Sequence, residues 1–497
     1  MSGANVFATL VTRHLEAGKG ERPAYRQTGR TYTYAELERL SARAAGLLHE
    51  AGLRRGDRVL CLAGDSVEII ALVLGAFRLG AVAVVANQLS PAAKLRFLCE
   101  DTAAQVVIVS SVSASALASW TERPASLRSI WFQGEGEAGS FPRLEESIAA
   151  MPPRESVEPV EGTHPACWQY THGADGTELA VVHSHQGLAA AVEPFARAKL
   201  GLCESDVVFS IAKLYFGYGF ANSLVFPLAA GACTLLHPGR SDVLTVMELV
   251  RREHPTVFFG VPTFYSGILK VPSAAQRFDV SSVRAFVSAG EELSASLARK
   301  FKDTFGSLPV NGLGSTEMFH IYIATELRGD SPGSLGTLTP GHEVRLLSAS
   351  GQPVADGEVG ELWVRGPHIG VGYAHHPEHT RRVFVEGWVR TGDLVTRDAS
   401  GAYVFRGRTD ALLKVAGQKT LLFEVEQCLR SHEAVVEAEV QVVVDEDGIR
   451  DLLAKVRLRE GVAPGNATVR VLRTFMRERL LPHSCPSKIE VLSGSAS

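Results

Sequence analysis

A chain of 497 residues, 45% of them hydrophobic, is too long for one ordinary core and has apolar material for at least two domains. A formal net charge of -4 and a pI near 6.5 leave no basic footprint for nucleic acid or an anionic membrane surface. Seven cysteines, Cys61, Cys99, Cys167, Cys203, Cys233, Cys428 and Cys485, show neither metal-ligand spacing nor a paired framework, so free buried thiols and no metal are expected. The N-terminal stretch MSGANVFATLVTRHLEAGKG lacks a cationic start before an apolar core, and no run of eighteen apolar residues occurs, so a cytoplasmic chain is expected.

From Tyr34 onward helices alternate with short apolar runs. YAELERLSARAAGLLHEAG has helical spacing closed by Gly52, DRVLCLAG reads as a strand, VEIIALVLGAFRLG as a helix and AVAVVANQ as a buried strand. The rhythm returns in VMELVRREHPTVFFGVP, from Val246, and in SSVRAFVSAGEELSASLARKFKDTF. Such alternation predicts parallel sheets flanked by helices. After about Pro340 the text changes to short β-rich units punctuated by glycine, which predicts a small antiparallel, barrel-like subdomain. The last segment, with helical FEVEQCLRSH, strands EAEVQVVVDED and DLLAKVRLRE and helical TVRVLRTFMRERLL, reads as a separate α+β domain. The expected fold is therefore α/β plus α+β: a large N-terminal domain over residues 1–406 and a small mobile C-terminal domain over 407–497.

One stretch in the large domain, YTHGADGTELAVVHSH from Tyr170 to His185, has the glycines of a phosphate-binding loop without its other parts. A cradle for a triphosphate wants hydroxyls, free backbone N–H groups and a cation. Around Gly173 and Gly176 this stretch offers His172, Ala174, Asp175, Glu178 and Leu179. A carboxylate and a phosphate within about 5 Å repel by roughly a few kcal/mol at an effective dielectric near 20, so the loop is expected to resist a triphosphate.

Four further stretches follow it in order: AKLYFGYGFANS from Ala212, NGLGSTEMFH from Asn311, GWVRTGDL from Gly387 and GRTDALLKVAGQKTLLFEVE from Gly407. Together with the loop they resemble the adenylate-forming superfamily of acyl-CoA and aryl-CoA ligases, luciferases and peptide-synthetase adenylation domains, in its benzoate–CoA-ligase-like branch. The resemblance covers essentially the whole chain. It implies an enzyme that makes an acyl-AMP from a carboxylic acid and Mg-ATP, swings its C-terminal domain, and lets the thiol of coenzyme A attack the adenylate.

The implied roles fall on matching positions. In the loop pattern Y-[ST]-S-G-[ST]-T-G-x-P-K-G, Leu179 stands where the family has lysine and Glu178 where it has proline. Gly312, Gly314, Ser315, Thr316 and Glu317 match the AMP-contacting segment, with Glu317 at the metal carboxylate; Asp393 and Arg408 match contacts to the ribose. Asp410 matches the hinge and Gly417 the glycine beside the pantetheine tunnel, with Lys414 between them as a further catalytic candidate. Tyr215, Phe216, Tyr218, Gly219, Ser288, Ala289, Gly290 and His320 match the acyl pocket. In CPSKIEVLSGSAS, Pro486, Ile489 and Leu492 match the family's closing segment, and its lysine has no counterpart after them.

These losses imply thioester formation alone, from a preformed acyl-AMP and CoA, with ATP and Mg²⁺ not used productively and a separate adenylating ligase as partner. The resemblance to non-adenylating ligases of this superfamily in turn implies a bulky hydrophobic acid of terpenoid kind as the acyl group. Two alternatives stand beside it: a complete two-step ligase in which Lys213, Lys414 or Lys419 replaces the missing charges, and a non-catalytic binder of acyl-adenylate or acyl-CoA.

Overall fold

The computed structural model describes residues 4–118, 120, 122–173, 176–409, 412–415, 418–444, 450–480 and 485–492. They divide into two compact units, one of residues 1–343 and 364–389, the other of residues 344–363 and 390–497.

The larger unit holds two sheets. The nine-stranded sheet has a parallel centre in the order Ala285–Ser288, Val257–Gly260, Val207–Ser210 and Cys233–Leu236, with Val310–Gly314 parallel beyond the first and Pro23–Gln27 parallel beyond the last. Its register stacks Phe209, Phe258 and Phe286 across three strands, with ring centroids 5.8 and 5.9 Å apart. These rings pack under Val246, Met247, Phe264, Ile268 and Phe301 from flanking helices. Each such buried side chain contributes about 1.5–3 kcal/mol relative to exposure.

The seven-stranded sheet centres on Arg58–Leu62 and Val82–Val85 and carries at one side the antiparallel pair Pro165–His172 and Glu178–Ser184, followed by the short strand Gly372–Tyr373.

Local signals explain the element ends. The helix Tyr34–Glu50 starts at Thr33, whose side chain caps Glu36 N while Glu36 caps Thr33 N, and it stops before Gly52 at φ 88°. The helix expected from Val246 begins earlier, at Val243, because the Asp242 side chain accepts from Thr245 N.

In the smaller unit, Val435–Val444 pairs antiparallel with Arg450–Leu458, which pairs in parallel with Lys488–Val491. The helices Leu422–Arg430 and Asn466–Arg477 cover this sheet through Val425, Leu429, Leu472 and Met476. The chain thus has a large α/β domain and a small α+β domain.

All seven cysteines are free; five are buried, but Cys203 is exposed and Cys485 half-buried, which corrects the expectation of buried thiols throughout. Among the described residues no helix is long and apolar enough to cross a membrane.

Candidate active site

In an open α/β sheet the carboxyl ends of the parallel strands leave a crevice, because the chain turns away there into loops and helices. The nine-stranded sheet has a cavity of about 470 Å³ at that place. Its lining follows strand ends: Ile211 and Ala212 after Val207–Ser210, Val261 after Val257–Gly260, Ala289 to Glu291 after Ala285–Ser288, and Gly314 to Thr316 at the end of Val310–Gly314. Phe216, Gly217, Tyr218, Phe319, His320 and Ile321 complete it. Of the residues expected from the sequence, Phe216, Tyr218, Ala289, Gly290, Gly314, Ser315, Thr316 and His320 therefore meet at one cavity.

Tyr215, Gly219, Ser288, Gly312 and Glu317 are not among its lining residues. Gly219 has a backbone reason to be glycine, since a Cβ there would collide with the carbonyl oxygens of Lys213 and Ala212. Gly290, at φ 86°, has nothing within 4 Å of a Cβ position.

His320 is the buried polar residue of a wall whose other polar side chains are Tyr218, Glu291, Ser315 and Thr316. It is 3% exposed, stacks on Tyr218 at 5.5 Å, and has its Nε2 3.1 Å from Asn222 Oδ1. Burial holds it well below the usual histidine range, so the ring is neutral, donates from Nε2, and leaves Nδ1 as an acceptor without a partner. Ser288 Oγ is likewise buried without one.

Sequence reasoning missed what supports this wall. The turn from Thr316 to His320 forces Phe319 to φ 63°, a costly value for a non-glycine residue, and two buried histidines grip the turn from behind. His183 hydrogen-bonds to the Thr316 backbone, and His368 Nδ1 donates to Met318 O. His342 continues the chain, with Nε2 2.9 Å from His368 Nε2 and Nδ1 2.8 Å from Thr339 Oγ1. Burial pushes His183 and His368 down to about 3, so both work as neutral rings. A lone histidine in an apolar stretch gives no signal for such a role; only the fold brings them together.

The glycine loop is a tight hairpin. His172 pairs with Glu178, and the amides of Gly173 and Gly176 donate to Thr177 O at 2.8 Å and Gly173 O at 2.9 Å, so neither is free for an anion. Leu179 is 2% exposed and packs with Val181 and Tyr373. The Tyr373 hydroxyl donates to Glu317 Oε1 at 2.7 Å. Glu178 does not stand as a bare repelling charge, as the sequence suggested: its Oε1 is ion-paired with Lys94 and lies 2.7 Å from His172 Nε2.

Lys213 is no free replacement cation either, since its Nζ donates to His237 O at 2.6 Å beside the buried Asp65, which burial raises to about 6. The described residues contain no group of three His, Cys, Asp or Glu that could hold a metal. A Mg²⁺ at Glu317 would need its other ligands from phosphates, the usual arrangement for that ion.

A family model described as AMP-binding enzyme matches residues 12–374, and a second, AMP-binding enzyme C-terminal domain, matches 424–495. The chain belongs to the AMP-binding enzyme family. It is similar to the benzoate–CoA ligase of Thauera aromatica, with 35% identity over 98% of this chain and 92% of that protein. It is also similar to the 4-hydroxybenzoate–CoA/benzoate–CoA ligase of Rhodopseudomonas palustris, with 34% identity over 98% and 90%. Among solved structures, the anthranilate CoA ligase AuaEII in complex with anthranoyl-AMP superposes with a TM-score of 0.90 at 30% identity, over 99% of this chain and 94% of that one.

In this AMP-binding enzyme the remaining candidates fall in the smaller unit. Asp393 is buried on the strand Trp388–Arg397 and Arg408 ends the paired strand Tyr403–Arg408; they face each other in register, with Arg408 Nη1 3.0 Å from Asp393 Oδ1. Gly392 beside them sits at φ 74° and turns its carbonyl to Thr409 N at 2.7 Å. Lys414 lies on the strand Leu412–Val415, opposite Lys419. Asp410 and Gly417, with Ala174 and Asp175 of the loop, lie outside the described residues.

Proposed function

We propose that this enzyme forms an acyl-CoA thioester from a preformed acyl-adenylate: the CoA sulfur attacks the acyl carbon, the bond from that carbon to the phosphate oxygen breaks, AMP leaves, and the thiol proton goes to solvent. What carries the reading is Leu179. At the place where the resemblance puts a lysine, an apolar side chain is buried against Val181 and Tyr373, and a cation could stand there only by breaking that packing. The cavity at the strand ends is formed in the same unit. AMP is already a good leaving group, so an ordered thiol and a held adenylate can supply much of the rate without a dedicated lysine.

On this reading Phe216, Tyr218, Ala289, Gly290 and His320 hold the acyl group, Ser315 and Thr316 the phosphate, and Asp393 and Arg408 the ribose. The domain of residues 407–497 turns on Asp410, and Gly417 clears the thiol's path, with Lys414 near it. ATP and Mg²⁺ are not used productively, and a separate adenylating ligase supplies the acyl-AMP in the cytoplasm. The acid is hydrophobic and ring-bearing, since apart from His320 and the rim the wall offers aromatic and aliphatic surface.

The relatives, named as CoA ligases for benzoate and hydroxybenzoate, support a second reading, a complete aryl-CoA ligase. One pair of assays separates the two. With synthetic benzoyl-, hydroxybenzoyl-, anthraniloyl- and polycyclic terpenoid adenylates plus CoA, at least one thioester should form. With ATP, Mg²⁺ and the same free acids, no pyrophosphate should be released above background; robust release with any acid establishes the complete ligase instead.

A further inference from the structure

Lys94 and His172 converge on the loop that the sequence left without a cation, and neither belongs to the 173–177 turn. Lys94 comes from the first turn of the helix Ala92–Asp101, which is tied to the hairpin where Tyr170 OH donates to Asp101 Oδ2 at 2.6 Å. His172 comes from the end of the strand Pro165–His172. Both meet a single oxygen, Oε1 of Glu178, while Oε2 is buried with no hydrogen-bond partner among the described residues. The Glu178 side chain is only 21% exposed. A carboxylate oxygen shared by an ammonium and an imidazole takes the place a phosphate oxygen would take between the same donors, since both are anionic acceptors of short, charge-assisted hydrogen bonds.

We propose that Glu178 is an internal stand-in for phosphate, filling a latent polyphosphate site whose donors are the Lys94 ammonium and the His172 ring. The inference rests on the reading that the loop takes up no triphosphate, and it names the device that keeps it so. The missing lysine of the loop has a potential substitute on a neighbouring helix, and that substitute is neutralised by the glutamate that stands where the resemblance expects proline. Any pyrophosphate or triphosphate tail must displace a covalently tethered anion whose effective concentration at the site is far above that of a free ligand. Removing the carboxylate leaves Lys94 held in place by its helix and without its counter-ion.

The test is calorimetric titration of the full chain with inorganic pyrophosphate and, separately, with ATP. The unaltered protein should show no pyrophosphate binding in the millimolar range, whereas Glu178→Ala should bind pyrophosphate at least about tenfold more tightly than the parent. Glu178→Gln, which keeps the shape and removes the charge, should gain in the same direction and decides the matter if the alanine variant does not fold. Adding Lys94→Met to either variant should abolish the gain.

The proposal is overturned if both Glu178 variants bind pyrophosphate no better than the parent, if the gain survives Lys94→Met, or if ATP binding rises without any rise for pyrophosphate, which would place the effect at the nucleoside. Failure of the functional reading looks different: the unaltered protein would itself release pyrophosphate from ATP and an acid. With no release from the parent and no gain in the variants, only the stand-in role of Glu178 falls.

Discussion

The cavity wall and the 173–177 hairpin are both glycine-marked stretches at strand ends of one unit, and they are built on opposite terms. At Gly314 of the wall, and at Gly219 next to the lining residue Tyr218, backbone contacts dictate the glycine: a Cβ on Gly314 would lie 2.7 Å from His320 O, and one on Gly219 would run into two carbonyls, whereas Gly290 is set by its φ of 86° alone. The wall's His320 Nδ1, and Ser288 Oγ next to the lining residue Ala289, are buried without hydrogen-bond partners among the described residues. The hairpin differs: a Cβ on Gly176 would meet nothing within 4 Å, the Gly173 and Gly176 amides are bonded within the hairpin, and Glu178 is ion-paired with Lys94 through Oε1 while its Oε2 is buried without a hydrogen-bond partner among the described residues. The wall's unpaired His320 Nδ1 is a neutral acceptor at an open cavity, whereas the hairpin's unpaired oxygen belongs to a carboxylate already ion-paired through its other oxygen. On the proposed reading, the retained half of the chemistry belongs to the wall and the lost half to the hairpin.

The largest break in that comparison should come from acid, because the wall rests on neutral histidines and the hairpin does not. His183 and His368, which hold the turn, and His185, which accepts from Val6 N elsewhere in the unit, are each pushed by burial down to about 3. Their ordinary value lies near 6.5, so between pH 6.5 and 3 the unfolded chain binds protons that the folded chain refuses, and stability falls as the pH falls. Each ring contributes up to about 1.4 kcal/mol per pH unit, roughly 4 for the three together. Urea unfolding at pH 7, 6 and 5 should show midpoints dropping steeply, and His368→Gln should flatten the slope by about a third. A flat profile in the parent would mean that the turn from Thr316 to His320 is not held by uncharged rings.

A pair of single-methyl additions sharpens the comparison at the backbone. Gly219→Ala forces a Cβ into the Lys213 and Ala212 carbonyls and should destabilise by about 3 kcal/mol, with loss of turnover as the Tyr218 wall shifts. Gly176→Ala meets only the strain of φ 79° in open space and should cost about 1 kcal/mol with turnover of acyl-adenylate intact. Chemical unfolding of both variants checks the ratio. Equal losses would show the hairpin to be as tightly dimensioned as the wall.

What the sequence disclosed follows the same division. Chain-local features were legible: helix starts such as Thr33 with Glu36, the parallel rhythm of strands and helices, and the wall residues that sit at strand ends, since strand ends are where an α/β sheet puts its ligands. Features made by the fold were not. His183, His342 and His368 become one network only when Gly372–Tyr373 pairs beside Glu178–Ser184 and the segment before it lies against Met318. Lys94 stands far from Glu178 in sequence and meets it only because a helix after the strand Val82–Val85 crosses to the hairpin. Charge counted along the chain therefore made Glu178 a repelling group, whereas charge in space makes it half of a pair.

The smallest effect belongs to the mouth of the cavity, at Phe216. This ring is 54% exposed, lies tilted against Tyr215 with centroids 4.5 Å apart, and touches the cavity without supporting the fold. Exposed apolar side chains of this size contribute little to folding, so Phe216→Ala should leave stability within about 0.5 kcal/mol. Its contribution is to cover the acyl group once bound, an interaction present equally before and during attack by the thiol. Such uniform binding sets KM and leaves kcat alone. With a ring-bearing acyl-adenylate and saturating CoA, the variant should therefore raise KM about three- to tenfold, the worth of partly uncovering one ring, while kcat stays within about twofold. Initial-rate kinetics against adenylate concentration decide it. A fall in kcat at unchanged KM would make Phe216 part of the path by which the thiol reaches the acyl carbon, and would extend the rigid wall outward to its rim.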